Sequence, residues 1–307
     1  MSARNLALSS SDPFAPLAAV LVAMLSITAG ASLAKSLFPL IGPAGTTALR
    51  LFLAAVMLSV AFRVWRIRTD RKALMAAVPY GMALGAMNLL FYMSIQRIPL
   101  GIALAIEFIG PLAVAVLSSR RRADLGWIVL AIAGLALLLP LRTTTGAVDP
   151  LGAGLALAAG VFWAAYILAG KRAGDALGAS ATALGMIVAS VVVMPFGVAE
   201  AGAALLDPQI LVIGLGVAFL SSAIPCSLEM FALRRLPAKS FGILTSGEPA
   251  VGAVMGMLLL GEALPLAMWL GIAAIVAASI GTTLSVRGAK DALGQEGDAG
   301  RLPRLGD

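Results

Sequence analysis

Ten runs of about 20 apolar residues, close to the length a helix needs to cross the ~30 Å hydrocarbon core of a bilayer, occupy most of this chain. They cover roughly 15–35, 43–62, 73–95, 99–119, 123–141, 150–171, 179–199, 208–231, 237–260 and 265–286. In lipid a backbone must satisfy its own N–H and C=O groups, and these runs lack the polar/apolar alternation of barrel strands, so each reads as a helix. Of 307 residues, 60% are hydrophobic and only 12% charged, where a soluble domain carries about 25% charged residues. The N-terminal stretch, with Arg4, a Ser run and Asp12-Pro13, lacks the short apolar core and small-residue cleavage site of a signal peptide. The run from Leu17 therefore reads as a retained first span.

The same inventory excludes much chemistry. There is no His and a single Cys, Cys226, so a Ser–His triad, a His-ligated metal, a zinc ribbon and an internal disulfide are all ruled out. Gly170-Lys171 lacks the upstream Gly and following Ser/Thr of a phosphate-binding loop. No cofactor, no metal and no enzymatic role are expected. A net charge of +7 does not point to nucleic acid, because the Lys and Arg residues punctuate the apolar runs instead of forming one stripe.

Their placement orients the chain. Assigned to the N-terminus, the even-numbered loops and the C-terminus are 18 of the 22 Lys and Arg, including Arg63, Arg66, Arg68, Arg120, Arg121, Arg122, Arg234 and Arg235. The odd loops hold Lys35, Arg97 and Arg142. Positive residues stay in the cytoplasm, which predicts both termini inside.

The chain also repeats. Gln96-Arg97-Ile98-Pro99-Leu100-Gly101 aligns with Arg234-Arg235-Leu236-Pro237-Ala238-Lys239 at an offset of 138, Gly110-Pro111 with Glu248-Pro249 at the same offset, and Trp127 with Trp269 beyond a small insertion. Five spans per half is an odd number, so the halves enter the membrane in opposite orientations. The expectation is an all-α integral membrane protein of ten transmembrane helices in two inverted five-helix repeats: a tail at 1–14, repeats at 15–145 and 146–286, and a disordered cytoplasmic tail at 287–307. Inverted repeats of this kind build secondary transporters, with the site near midplane between the halves.

The segments Gly30–Leu51 (GASLAKSLFPLIGPAGTTALRL), Asn88–Arg122 (NLLFYMSIQRIPLGIALAIEFIGPLAVAVLSSRRR), Phe162–Gly174 (FWAAYILAGKRAG) and Ser227–Leu264 (SLEMFALRRLPAKSFGILTSGEPAVGAVMGMLLLGEAL) resemble the bacterial inner-membrane threonine/homoserine exporters. These belong to the ten-helix drug/metabolite transporter superfamily with two EamA-type repeats. The string from Ile98 to Arg121 resembles that exporter subgroup in particular; Gly261-Glu262 is common to the superfamily, and the first repeat has Ser118-Ser119 in its place. The resemblance implies a multi-pass protein of the bacterial inner membrane that exports small amino acids, threonine and homoserine. Proton antiport by alternating access is the expected mechanism. The competing reading is a broad-specificity amino-acid, metabolite or drug exporter of the same fold. A membrane scaffold would give no reason for charges near midplane, and an intramembrane hydrolase would need paired Asp residues, a zinc site or a Ser–His pair.

Those charges are few. Glu107, Glu229 and Glu248 are the acidic residues inside the runs, and each costs roughly 2.5–3.5 kcal/mol at a bilayer centre. Counted from Pro99 and Pro237 at ~1.5 Å per residue, Glu107 and Glu248 lie roughly 12 and 16 Å deep. A zwitterionic cargo needs an acceptor for its ammonium, for which Glu107 and Glu248 are candidates, and a donor pair for its carboxylate, which Arg50 suits. Arg50 also reads as a structural ion-pair partner of a glutamate. Asn88, with Ser26, Thr28 and Gln96, could bond a cargo hydroxyl, and Tyr92 lies one turn from Asn88. Lys35 is a candidate cargo contact or a residue snorkelling to the outer headgroups. Trp163 and Tyr166 suit helix packing, a headgroup belt or a gate. Glu229 reads as a helix-end residue and Glu262 as an exposed cap or loop contact.

Overall fold

A computed structural model describes residues 15–66, 71–117, 124–138, 148–178, 180–233, 244–278 and 280–281, which form helices and turns without a strand among them. The tails expected at 1–14 and 287–307 lie outside the described residues, as do Arg68, Arg120, Arg121, Arg122, Arg142, Arg234, Arg235 and Lys239 of the orientation count.

In chain order the helices are α1 (Ala15–Lys35), α2 (Phe38–Ala61), α3 (Arg71–Ile95), α4 (Leu100–Glu107), α5 (Ile109–Leu117), α6 (Asp124–Leu138), α7 (Pro150–Leu177), α8 (Ser180–Ala201), α9 (Pro208–Ala218), α10 (Ile224–Leu233), α11 (Glu248–Leu260) and α12 (Leu266–Ala278). Among the described residues, five of the ten apolar runs carry helices long and apolar enough to cross a membrane alone, and Leu100–Val114, Pro208–Ala223, Glu248–Leu260 and Leu266–Ala278 are shorter apolar helices. The α2 helix begins at Phe38, ahead of the expected 43, because a proline is tolerated in a first helical turn, and the chain then kinks at Gly42 (φ 66°, ψ 172°) just before Pro43. The fourth run breaks at Phe108, between α4 and α5. The eighth passes through a π-helical turn at Phe219–Ala223 between α9 and α10.

Small residues set how closely these helices pack. A Cβ on Gly110 would sit 1.9 Å from the Gly160 carbonyl, one on Gly101 would sit 2.5 Å from Ala253 Cα, and one on Gly197 would sit 2.2 Å from Ala48 Cβ. These glycines let α5 touch α7, α4 touch α11, and α8 touch α2, the close approach that joins helices where lipid supplies no hydrophobic drive. The remaining large contacts run α3 against α7 and α8, α1 against α10 and α11, and α2 against α9. Leu37, Ile41, Ile95, Leu100, Ile106 and Ile275 are fully buried in the interior, whereas Leu21, Val56, Val161, Val191 and Leu258 face outward. Apolar side chains on the outer surface are what a bilayer environment selects.

Gly110→Ala forces a methyl into the Gly160 backbone, a contact with no rotamer to escape by. It is expected to cost about 1–3 kcal/mol through overpacking, seen as a lowered midpoint for thermal unfolding in detergent, while Gly126→Ala, with open space around the added carbon, leaves that midpoint close to the parent's.

Candidate functional site

Arg50, midway along α2 and 5% exposed, organises the centre of the bundle. Its Nη1 donates to Ser221 Oγ at 3.2 Å and Ser222 Oγ at 3.3 Å, and its Nη2 donates to Asn88 Oδ1. The guanidinium carbon stands 4.9 Å from the centre of the Tyr92 ring, a cation–π contact. Asn88 is aimed by its own Nδ2, which donates to Leu84 O at 2.8 Å. Ser221 Oγ donates to Val217 O at 2.6 Å and so turns a lone pair to Arg50. The π turn explains how two consecutive serines reach one guanidinium: the widened turn rotates both hydroxyls toward α2. Arg50 Nε is buried and has no hydrogen-bond partner. Every partner of Arg50 among the described residues is neutral, and neither ion pair they form involves it.

The two midplane carboxylates sit beside interruptions of their helices. Glu107 is the last residue of α4, before the break at Phe108, and is 4% exposed. Glu248 is the first residue of α11, after a turn at Ser246-Gly247 and ahead of Pro249. That second turn lies 138 residues beyond Phe108, the offset of the sequence repeat. Close contact fixes the level of Glu107, since a Cβ on Gly160 would come within 2.6 Å of its carbonyl oxygen.

Arg50, Asn88, Tyr92, Glu107, Glu248, Trp163 and Tyr166 all line one cavity of about 240 Å³. Seven of the eight residues picked from sequence thus converge. Trp163 meets Phe108 edge-to-face at 5.3 Å. Tyr166 stacks on Tyr80 with ring centres 4.9 Å apart and hydroxyls at 3.2 Å. The Tyr80 ring occupies a slot left by Gly185, where a Cβ would lie 2.2 Å from Tyr80 Cε1. From Arg50 the cavity reaches to Thr182, the third residue of α8, so it extends toward the bundle end opposite Lys35.

Lys35 does not line this cavity. It pairs with Glu262 at 2.7 Å; that side chain is only 12% exposed, so the expected cap or loop contact is shielded and not exposed. Ser26 and Thr28 donate to the carbonyls of Leu220 and Met24, and Gln96 is exposed; none of the three reaches the cavity. Glu229 lies on α10, its side chain outside the description. Sequence reasoning missed Tyr80, Ser221 and Ser222. The three tyrosines of the chain, Tyr80, Tyr92 and Tyr166, all line the cavity.

Replacing Ser221 and Ser222 together by Ala strips a buried guanidinium of its Nη1 acceptors. The expected cost is about 1–3 kcal/mol or somewhat more for a charged donor, read as a fall in thermal stability in detergent exceeding that of Ser36→Ala, whose hydroxyl bonds only Leu33 O on an exposed surface.

Residues 150–284 match the EamA-like transporter family. The threonine/homoserine exporter RhtA of Salmonella typhimurium (strain LT2) is 53% identical over 272 residues, covering 89% of this chain and 92% of that protein. The Escherichia coli (strain K12) exporter of the same name is 52% identical over the same shares. A solved crystal structure is also similar, with a TM-score of 0.59, 17% identity, and coverage of 89% of this chain and 99% of the other; at that identity the likeness concerns the fold alone.

Proposed function

This chain belongs to the EamA-like transporter family, is a multi-pass membrane protein and not an enzyme, and from that premise we propose that it is a secondary active exporter of threonine and homoserine in the bacterial inner membrane. The observation that carries the reading is one cavity holding Arg50 with neutral partners only, together with Glu107 and Glu248. The two charges of a zwitterion complement this set. Its carboxylate supplies the anion that Arg50 lacks, and its ammonium sits at the carboxylates. Size argues in the same direction: about 240 Å³ is below the ~300–1,000 Å³ of pockets that enclose drug-sized ligands, which favours a small amino acid over the broad drug-exporter reading.

Antiport follows from competition. Two carboxylates lining one cavity favour a cation beside them, and that cation is either the cargo's ammonium or a proton. Arrival of one displaces the other, so a proton gradient drives cargo out. Alternating access proceeds by rocking of two inverted five-helix repeats, 15–145 and 146–286, with both termini cytoplasmic. Three features support that architecture: the 138-residue offset shared by the two helix breaks, the positive-inside count, and the reciprocal packing. In this packing the first run lies on the eighth as the sixth lies on the third, while the second meets the seventh and the fourth meets the ninth.

Counterflow of radiolabelled threonine into proteoliposomes tests the proposal. Wild type is expected to exchange threonine; Glu107→Gln, Glu248→Gln and Arg50→Lys are expected to lose at least about tenfold, the last because an ammonium cannot replace a planar two-donor fork. Well-folded wild type that exchanges neither threonine nor homoserine overturns the cargo assignment. Exchange that survives all three substitutions overturns the site.

A further inference from the structure

At the bundle end remote from Tyr80 and Thr182, one carboxylate ties three helices. Glu262 Oε1 accepts from Lys35 Nζ at 2.7 Å, and Glu262 Oε2 accepts from the backbone N–H of Leu100 at 2.9 Å. Lys35 is the last residue of α1 and Leu100 the first of α4. The α4 N-cap is Pro99, which supplies no side-chain cap, so Glu262 takes over that role from a distant part of the chain.

Local sequence builds this geometry. Gly261 adopts the left-handed conformation (φ 65°) that closes α11, and the Glu262 N–H then turns back to Gly256 O at 3.2 Å. A Cβ on Gly256 would lie 2.3 Å from Glu262 Oε2, so the bare backbone at Gly256 makes the seat in which the carboxylate rests. The pair is partly shielded, with side chains 22% and 12% exposed, which weakens screening by salt and water.

We propose that the Lys35–Glu262 pair is the latch that closes this end of the cavity, and that Glu262 links the latch to the site through α4. That helix has eight residues, a rod of about 12 Å. Its first residue is held by Glu262, and its last is Glu107 on the cavity wall. When Glu262 withdraws it leaves Lys35 and the Leu100 N–H together, so opening of this end and displacement of the Glu107 carboxylate become one event. This deepens the exporter reading and rests on it: cargo leaves through the latched end, and the latch parts once per cycle.

The test reads access from the latched side without needing cargo. With Cys226 replaced by Ser, a single cysteine is introduced at Ala31, which lines the cavity one turn before Lys35 on α1. Its labelling rate by a membrane-impermeant maleimide is then measured in right-side-out vesicles. Lys35→Met and Glu262→Gln are each expected to raise that rate by about fivefold or more, as a shift of population toward the open state requires. Lys35→Arg, which keeps a cation opposite Glu262 and leaves the Leu100 cap in place, is expected to label at the rate of the parent. Rates unchanged by both single variants overturn the latch, and so does a Lys35→Arg protein that labels as fast as Lys35→Met. Threonine counterflow measured on the same vesicles separates the two ideas. Labelling that responds as expected in a protein without counterflow leaves the latch standing and removes the exporter reading.

Discussion

A guanidinium buried inside an apolar bundle is the most demanding group in this structure, and the arrangement of α2, α3 and the π turn answers to it. Burial of a charge without an opposing charge costs several kcal/mol even after relaxation. Here Arg50 is met by two hydroxyls, an amide oxygen and an aromatic face, none of which carries a negative charge. Those groups come from α3 and the π turn of the eighth run, on both sides of the chain's midpoint. Neutral partners lower the cost of burial while leaving the charge available to an incoming anion. A glutamate in the same place would have satisfied Arg50 permanently.

Glycine-mediated contacts then hold the acidic groups at the same level. Gly160 admits the Glu107 carbonyl, Gly110 admits Gly160, and Gly101 and Gly252 let α4 and α11 lie against each other, so that their ends beside Glu107 and Glu248 face one cavity. Far from the site, two second-half glutamates hold first-half helices by their N-termini: Glu262 holds α4, and Glu200 accepts from the N–H groups of Ala44 and Gly45 at 2.6 and 3.0 Å where α2 restarts after its kink. Arg50 and Glu107 both lie about two turns along the helices so held.

Much of this was legible in the residues alone, for a physical reason. A span needs an uninterrupted apolar run, and a charge inside such a run is rare enough to mark itself, so Arg50, Glu107 and Glu248 stood out before any coordinates. Lys35 stood out equally, but whether a lysine at a helix end reaches cargo, headgroup or a carboxylate depends on what packs opposite it. Glu262 is 227 residues away in the chain. Ser221 and Ser222 were invisible because serine is common in membrane helices, and only a π turn aims both toward one neighbour. Tyr80 hides for the same reason as Lys35: its slot is made by Gly185, on another helix.

The central claim is that one cavity reads both charges of a zwitterion, and competition of cargo analogues against radiolabelled threonine counterflow tests it most directly. Unlabelled threonine and homoserine should compete, whereas threoninol, which lacks the carboxylate, and 2,3-dihydroxybutanoate, which lacks the amine, should each fall short by at least about tenfold, the loss of one charge-assisted contact. Competition by threoninol as strong as that by threonine would contradict the account, because Arg50 would then have no anion to receive.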